Sequence, residues 1–290
     1  TTPIFPLRVV GQVQSFCVLR YSLRFSCRPV PAEKATAIVL RTVDFSETSL
    51  VLTLFTREFG KISGLAKGGR RLKGPFESAL DLLAVCRIVF LRKSSEALDL
   101  LTEAKLLRRF RPAGRNLSSL YAGYYVAELL NELTTDYDPH PELFDLADET
   151  LAGLSAGESV MHRVLRFELG ALRELGHLPL LDACADCGDD VPLTGRIAFG
   201  QLQGGILCDR CRGGKRQVAV VGAGAIRAMA DLANAERPTW RRLEIDTRTQ
   251  GEIRGLMNYY LSSLLGHRPR MHQYLGSLGA SAKAQAPSDH

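Results

Sequence analysis

Four cysteines restrict this chain more than any other feature. Cys184 and Cys187 form one C-x2-C unit, and after twenty intervening residues Cys208 and Cys211 form a second. Two such knuckles converge when their thiolates surround one tetrahedral ion, so the intervening chain must fold back on itself. Thiolates are soft, strongly donating ligands that suit zinc, and a two-residue spacer lets both members of a pair reach one ion. Gly188, Gly213 and Gly214 can supply the tight turns, and the run VPLTGRIAFGQLQGGIL between the knuckles has the short strand–turn–strand character of a zinc ribbon. One structural Zn2+ is therefore expected on Cys184, Cys187, Cys208 and Cys211. Two disulfides are the alternative, disfavoured by the missing secretion signal. A fully thiolate site has no open coordination position, so it is expected to be structural rather than catalytic. Of the remaining cysteines, Cys17 and Cys27 have no partner by pattern, and Cys86 reads as a buried strand residue.

The rest of the chain is ordinary globular material. With 290 residues and 46% hydrophobic side chains, it is neither fibrous nor disordered, and its length suggests about two domains. No run of about 18 uncharged apolar residues is present, which argues against a spanning helix. Charge is unevenly placed. Residues 1–32 carry four Arg and no acid, residues 33–111 carry 15 basic and 9 acidic side chains, and residues 112–290 carry 18 basic and 22 acidic ones. The net +6 thus hides a basic front and a slightly acidic back. A basic front suits nucleic acid, an anionic lipid surface or an acidic protein partner.

Residues 1–32 alternate only loosely, are interrupted by Arg, and end in a Pro-x-Pro unit. They read as a disordered extension or as a start assigned too far upstream. The Gly-, Ala-, Ser- and Gln-containing tail, 277–290, reads as a loose terminus.

Between about 34 and 111 the pattern is strand-like. Ala37, Ile38, Val39, Leu40 and Val43 make an apolar run, Asp44 to Glu47 a turn, and Leu50 to Phe55 a second run. Gly60, Ile62 and Leu65 follow, then a longer pair, Leu80–Arg92 and Ala97–Leu107. Short strands broken by Gly and polar turns favour a small antiparallel barrel. The segment AKGGRRLKGPF between the third and fourth strands places Lys67, Arg70, Arg71 and Lys73 among glycines. A Gly-rich turn lets backbone approach a ligand while long cationic stems reach phosphates. It lacks the P-loop pattern, so nucleoside triphosphate binding has little support. A second basic set, Lys105, Arg108, Arg109, Arg111 and Arg115, closes the domain, and Arg87, Arg92 and Lys93 are candidates to extend it. Phe55, Phe59 and Phe76 read as core or loop anchors rather than as stacking platforms for bases.

Helical spacing of apolar residues predicts helices over about 116–133, 141–153, 159–175, 222–235 and 250–265. Their apolar stripes read as bundle core. The domain plan is a leader (1–32), a barrel (33–111), a helical domain in two pieces (112–181 and 219–276), a zinc-binding insert (182–218) and a tail (277–290). No nucleophile elbow, HExxH or GxGxxG occurs, the histidines are scattered, and no enzyme activity is expected. The competing classes are a nucleic-acid-binding mediator, a non-catalytic protein-interaction adaptor with weak DNA binding, and a metal-dependent hydrolase, which would need an open metal site.

From Ala32 the run AEKATAIVLRTVDFSETSLVLTLFTREFGKISGLAKGGRRLKGPF resembles the opening of the bacterial recombination mediator family RecO. The family pattern falls on Ala37, Val39, Leu40, Glu47, Ser49, Leu52, Thr56, Gly60, Ala66, Lys67, Gly68 and Arg70, and Glu103 sits where the family often has an acid. The four cysteines match the zinc site of many members. Leu264–Leu275 resembles the family's closing segment, with Met271 and His272 departing from it. The resemblance covers about 34–275. It implies an α+β fold, an N-terminal OB-fold barrel followed by an all-helical domain with an inserted zinc ribbon-like element. It also implies binding to single- and double-stranded DNA, strand annealing, and cooperation with RecR in loading RecA onto SSB-coated single strands. The candidate DNA contacts are Lys67, Arg70, Arg71, Lys73, Arg108, Arg109 and Arg111. The SSB C-terminal tail is a further candidate partner. No membrane and no small-molecule substrate are expected, and the setting implied is the bacterial cytoplasm, at the nucleoid.

Overall fold

The computed structural model describes residues 31–71, 74–76, 79–93, 97–115, 117–234 and 238–276. The first architectural unit is a closed barrel of five strands, β1 (Ala32–Asp44), β2 (Leu50–Thr56), β3 (Gly60–Ala66), β4 (Val85–Leu91) and β5 (Asp99–Arg108). Their order around the barrel is β1-β2-β3-β5-β4, with β1 also paired to β4, which gives the OB-like topology. The barrel is not wholly antiparallel, because β3 and β5 run parallel. Parity requires this: five strands cannot alternate direction all the way round a closed ring.

The thirteen-residue β1 is long enough to serve two neighbours. Its first half pairs with β4 from Ala32 to Ile38, and its second half pairs with β2 up to Asp44. The β1–β2 register shifts between Val39 and Arg41, leaving Leu40 as the extra residue of a bulge that bends the strand round the barrel. Ala35, Ala37 and Val39 face the barrel core with Leu52, Leu54, Ile62, Ile88, Phe90 and Leu101. Gly64 leaves room for Leu101, whose Cδ1 would lie 2.2 Å from a Cβ at that position. Cys86 is buried in the same core, and burial pushes its thiol up to about 12. Phe76, Ala79, Leu80 and Ala84, from the connection between β3 and β4, complete this core.

The opposite face of β1 is also buried. Ile38 and Leu40, with Phe55, Leu83 and Val85, pack against α1 (Leu117–Leu133), α2 (Pro141–Ser155) and α3 (Val160–Glu174). Barrel cations reinforce this contact. Arg57 holds Asp145 of α2 through two hydrogen bonds of 2.9 Å. The Lys61 ammonium donates to the Asn131 carbonyl at 2.8 Å and the Thr134 carbonyl at 2.6 Å, at the negative end of α1.

The far side of α3 carries a second core. Leu165, Leu169 and Leu172 meet a three-stranded sheet, β7-β6-β8, and two further helices. The strands are β6 (Arg196–Gly200), β7 (Gly205–Leu207) and β8 (Val218–Gly222), and the helices are α4 (Ala223–Ala233) and α5 (Thr247–Leu265). The third strand was not legible in the sequence, because Val218–Val221 is too short to show a period of either kind. Arg166 and Arg173 of α3 donate to the Leu232 and Ala233 carbonyls at the end of α4.

One buried polar cluster joins the helices. Glu168 of α3 is fully buried and accepts two hydrogen bonds from Arg254 of α5, at 2.6 and 3.0 Å. It also accepts one from the Tyr125 hydroxyl of α1 at 2.6 Å. That hydroxyl lies 2.8 Å from Nε2 of His272 in the short closing helix α6 (His272–Gly276). Burial, with Arg254 and Arg268 adding to it, holds the His272 imidazole down at about 4, so it is neutral. Arg254→Met leaves the Glu168 carboxylate buried without its cation. Urea unfolding should show a loss of roughly 3–5 kcal/mol. The double variant Glu168→Gln/Arg254→Met should lose much less than the sum of the two single changes.

Candidate nucleic-acid interface and metal centre

The basic turn begins where β3 ends. Gly68 adopts φ +78°, and the Arg71 N–H donates to the Gly68 carbonyl at 3.0 Å, so the chain reverses directly after Lys67. The turn is fastened to the β1–β2 hairpin. The Arg70 N–H donates to the Thr48 carbonyl at 3.1 Å, and its guanidinium lies 3.3 Å from an Asp44 carboxylate oxygen and 3.5 Å from the Ser46 carbonyl. Lys67, Arg70 and Arg71 are all exposed. Among the described residues, no acid forms an ion pair with Lys67 or Arg71. Lys73 and the Arg115 side chain lie outside the described residues.

The second basic set divides. Arg108, at the end of β5, is half-buried and donates to both the carboxylate and the carbonyl of Asp148 on α2. Burial raises the Asp148 carboxyl against the pull of Arg108. Arg109 lies 3.1 Å from Asp81, near the end of the β3–β4 connection. Arg111 is exposed. The structure therefore brings Lys67, Arg70 and Arg71 together on one turn, but Arg70 is paired with Asp44, as Arg108 and Arg109 are with Asp148 and Asp81, which leaves Lys67 and Arg71 as the members of the turn with no ion pair among the described residues. Arg87 and Lys105, paired across β4 and β5, are both exposed and add charge to the barrel wall. Arg92 instead lies 4.0 Å from the centroid of the Tyr137 ring.

The aromatic residues sort by burial. Phe55 stacks on Phe144 at 6.2 Å and Phe59 meets Phe90 edge-on at 5.4 Å, while Phe76 is buried in the barrel core. Phe45 differs. It sits at the hairpin tip and is 65% exposed. The sequence held one hint of this, an aromatic ring within the polar turn Asp44–Glu47, where no apolar alternation explains it.

The four cysteine sulfurs lie within 4.8 Å of one another. Bonds of about 2.3 Å from a central ion place tetrahedral sulfurs about 3.8 Å apart. The Cys187 and Cys208 sulfurs are 3.8 Å apart. Each knuckle is closed by its own backbone, with Gly188 N–H to the Cys184 carbonyl at 2.8 Å and Arg212 N–H to the Cys208 carbonyl at 3.0 Å. Gly188 takes φ +78°, which a side chain would oppose. Burial alone would raise the Cys184 thiol, but backbone N–H groups of Cys208, Cys187 and Asp186 directed at the sulfur bring it down to about 6. Burial and Cys184 push Cys187 up, while hydrogen bonds from the Cys211 thiol to the Cys187 and Cys208 sulfurs push Cys211 up. A divalent cation at the centre would offset this crowding and favour all four thiolates. The site is tied to the second core through β6 and β7, whose Ala198 and Leu207 pack on Cys184.

The comparisons with known proteins agree along nearly all of the described chain. Residues 32–110 match the family model described as Recombination protein O N terminal, and residues 114–273 match Recombination protein O C terminal. The DNA repair protein RecO of Rhodopirellula baltica is 42% identical over 262 residues, covering 82% of this chain and 97% of that protein. The DNA repair protein RecO of Anaeromyxobacter dehalogenans is 33% identical over 246 residues, covering 85% and 96%. That of Moorella thermoacetica is 29% identical over 247 residues, covering 85% and 91%.

Cys184→Ser should abolish stoichiometric metal binding and lower the thermal midpoint of the full chain. Elemental analysis and calorimetry check this. An unchanged metal content would show that the cluster is not the binding site.

Proposed function

We propose that this chain, which belongs to the RecO family of DNA repair proteins, binds single- and double-stranded DNA through the basic end of its barrel. It anneals complementary strands and, with RecR, helps to load RecA onto single strands coated by SSB. The observation that carries this reading is the exposed triad Lys67, Arg70 and Arg71 on one turn, fastened to the β1–β2 hairpin by the Arg70 backbone bond to Thr48 and the Arg70 guanidinium contacts to Asp44 and Ser46. Arg111, with Arg87 and Lys105, extends the cationic surface. The charges of Arg70, Arg108 and Arg109 are already partly matched by Asp44, Asp148 and Asp81, so Lys67 and Arg71 take the larger part in this reading.

The mechanism requires no bond chemistry, and the protein acts as a mediator rather than as an enzyme. Cations on the turn reduce repulsion between two phosphate backbones and hold the strands close, while base pairing selects the match. The ion in the cysteine cluster is one Zn2+, with a structural part: Cys184, Cys187, Cys208 and Cys211 hold it, and it fixes the ribbon against α3. RecR and the acidic C-terminal tail of SSB are the protein partners in this reading, and the bacterial nucleoid is its setting.

An annealing assay with fluorescent complementary strands tests the reading. Lys67→Glu/Arg70→Glu/Arg71→Glu should abolish annealing while zinc stays at one ion per chain. Neutralising the same three residues to Gln should flatten the slope of log affinity against log salt by about 2 to 3. Unchanged annealing by the reversed variant would remove this surface from the mechanism. Negligible DNA affinity at low salt together with tight RecR binding would favour a protein-interaction adaptor instead.

A further inference from the structure

The tip of the β1–β2 hairpin pairs an unusual side chain with an unusual neighbour. Phe45 is 65% exposed, the most exposed of the large apolar residues described. Among the described residues, no aromatic ring and no cation stacks on it. The tip holds its own shape: the Phe45 N–H donates to the Ser49 carbonyl at 3.1 Å, the Ser46 N–H donates to the same carbonyl at 3.3 Å, and the Ser49 N–H donates to the Ser46 hydroxyl at 3.2 Å. Arg70 then reaches both chain neighbours of Phe45, the Asp44 carboxylate at 3.3 Å and the Ser46 carbonyl at 3.5 Å. An open aromatic face is thereby presented on a braced turn, with a guanidinium fixed beside it and Lys67 and Arg71 on the adjoining turn.

We propose that Phe45 is a base-stacking residue that makes this site prefer single-stranded nucleic acid, with Lys67 and Arg71 of the adjoining turn holding the neighbouring phosphates and Arg70, paired with Asp44, bracing the hairpin. This deepens the DNA-binding reading above and rests on it. A phosphate needs a cation and a base needs a flat apolar face, and the two lie about one nucleotide apart in a single strand. In a duplex the base faces are already stacked on one another, so the ring has nothing to cover while the cations still find phosphates. Phe45 therefore adds affinity for single strands and little for duplexes. When complementary strands pair, the stacked base is withdrawn from Phe45, which loosens the hold on the annealed product. Arg70 positions the hairpin, since its backbone and guanidinium both bond to it.

The experiment uses the full chain, with fluorescence anisotropy of a labelled oligo-dT and of a labelled duplex of equal length, at one salt concentration. Phe45→Ala should weaken oligo-dT binding roughly tenfold and duplex binding less than about twofold. Phe45→Trp should retain the affinity for oligo-dT, and the introduced indole should be quenched by oligo-dT and not by duplex. The chain's single natural Trp, Trp240, is buried and supplies a constant background. Equal loss of both affinities on Phe45→Ala, or no loss, would overturn the stacking assignment while leaving the DNA-binding reading intact. An unquenched indole in a variant that binds oligo-dT would overturn it as well. Failure of the unaltered chain to bind either DNA would overturn both.

Discussion

The architecture depends on one strand being buried on both faces. Odd-numbered residues of β1, from Ala35 to Val39, fill the barrel, while Ile38 and Leu40 press on the helices. A strand with one wet face would need polar residues at alternate positions, whereas Ala37–Leu40 has none. The bulge at Leu40 lets the strand leave β4 and continue along β2. Barrel closure and helix docking are thus set by the same few residues, and a loss of packing there would reach both cores. The closed ring also keeps strand edges from pairing with other chains.

The barrel's positive charge divides between two tasks. Arg57, Lys61 and Arg108 bond to groups of α1 and α2 and fasten the barrel to them. Lys67, Arg71 and Arg111 remain exposed with no ion pair among the described residues, while Arg70 is exposed and paired with Asp44. Net charge counts both groups alike, although a cation matched by a nearby carboxylate or by helix-end carbonyls contributes little to the field felt by a phosphate. The surface that can attract a polyanion is therefore narrower than the composition of the front half suggests.

The ribbon is a participant in the helical domain rather than an appendage. Its sheet supplies Ile197, Phe199 and Ile206 to the core that also holds α3, α4 and α5. The Glu168 cluster ties α1, α3, α5 and α6 through hydrogen bonds that no apolar contact could direct as specifically. His272 is absorbed into that cluster as a neutral, buried ring.

Local chemistry was legible in the sequence. The C-x2-C spacing named the four cysteines whose sulfurs come together, because the geometry of each knuckle is set within a few residues of chain. The helical periods named five long helices, and the Gly-rich basic turn named Lys67, Arg70 and Arg71. The strand pattern gave the barrel, but not the parallel β3–β5 pair, which follows from closing the ring. The ionic partners of Arg108 and Arg109 were also out of reach, since Asp148 lies 40 residues from Arg108 in the chain. So was the difference between Phe45 and the buried phenylalanines, whose residue type is the same and whose neighbours are not. Residue type and short-range spacing determined which chemistry was available. Tertiary structure decided which cations were already matched and which ring was left open, because burial and pairing are properties of segments distant in sequence.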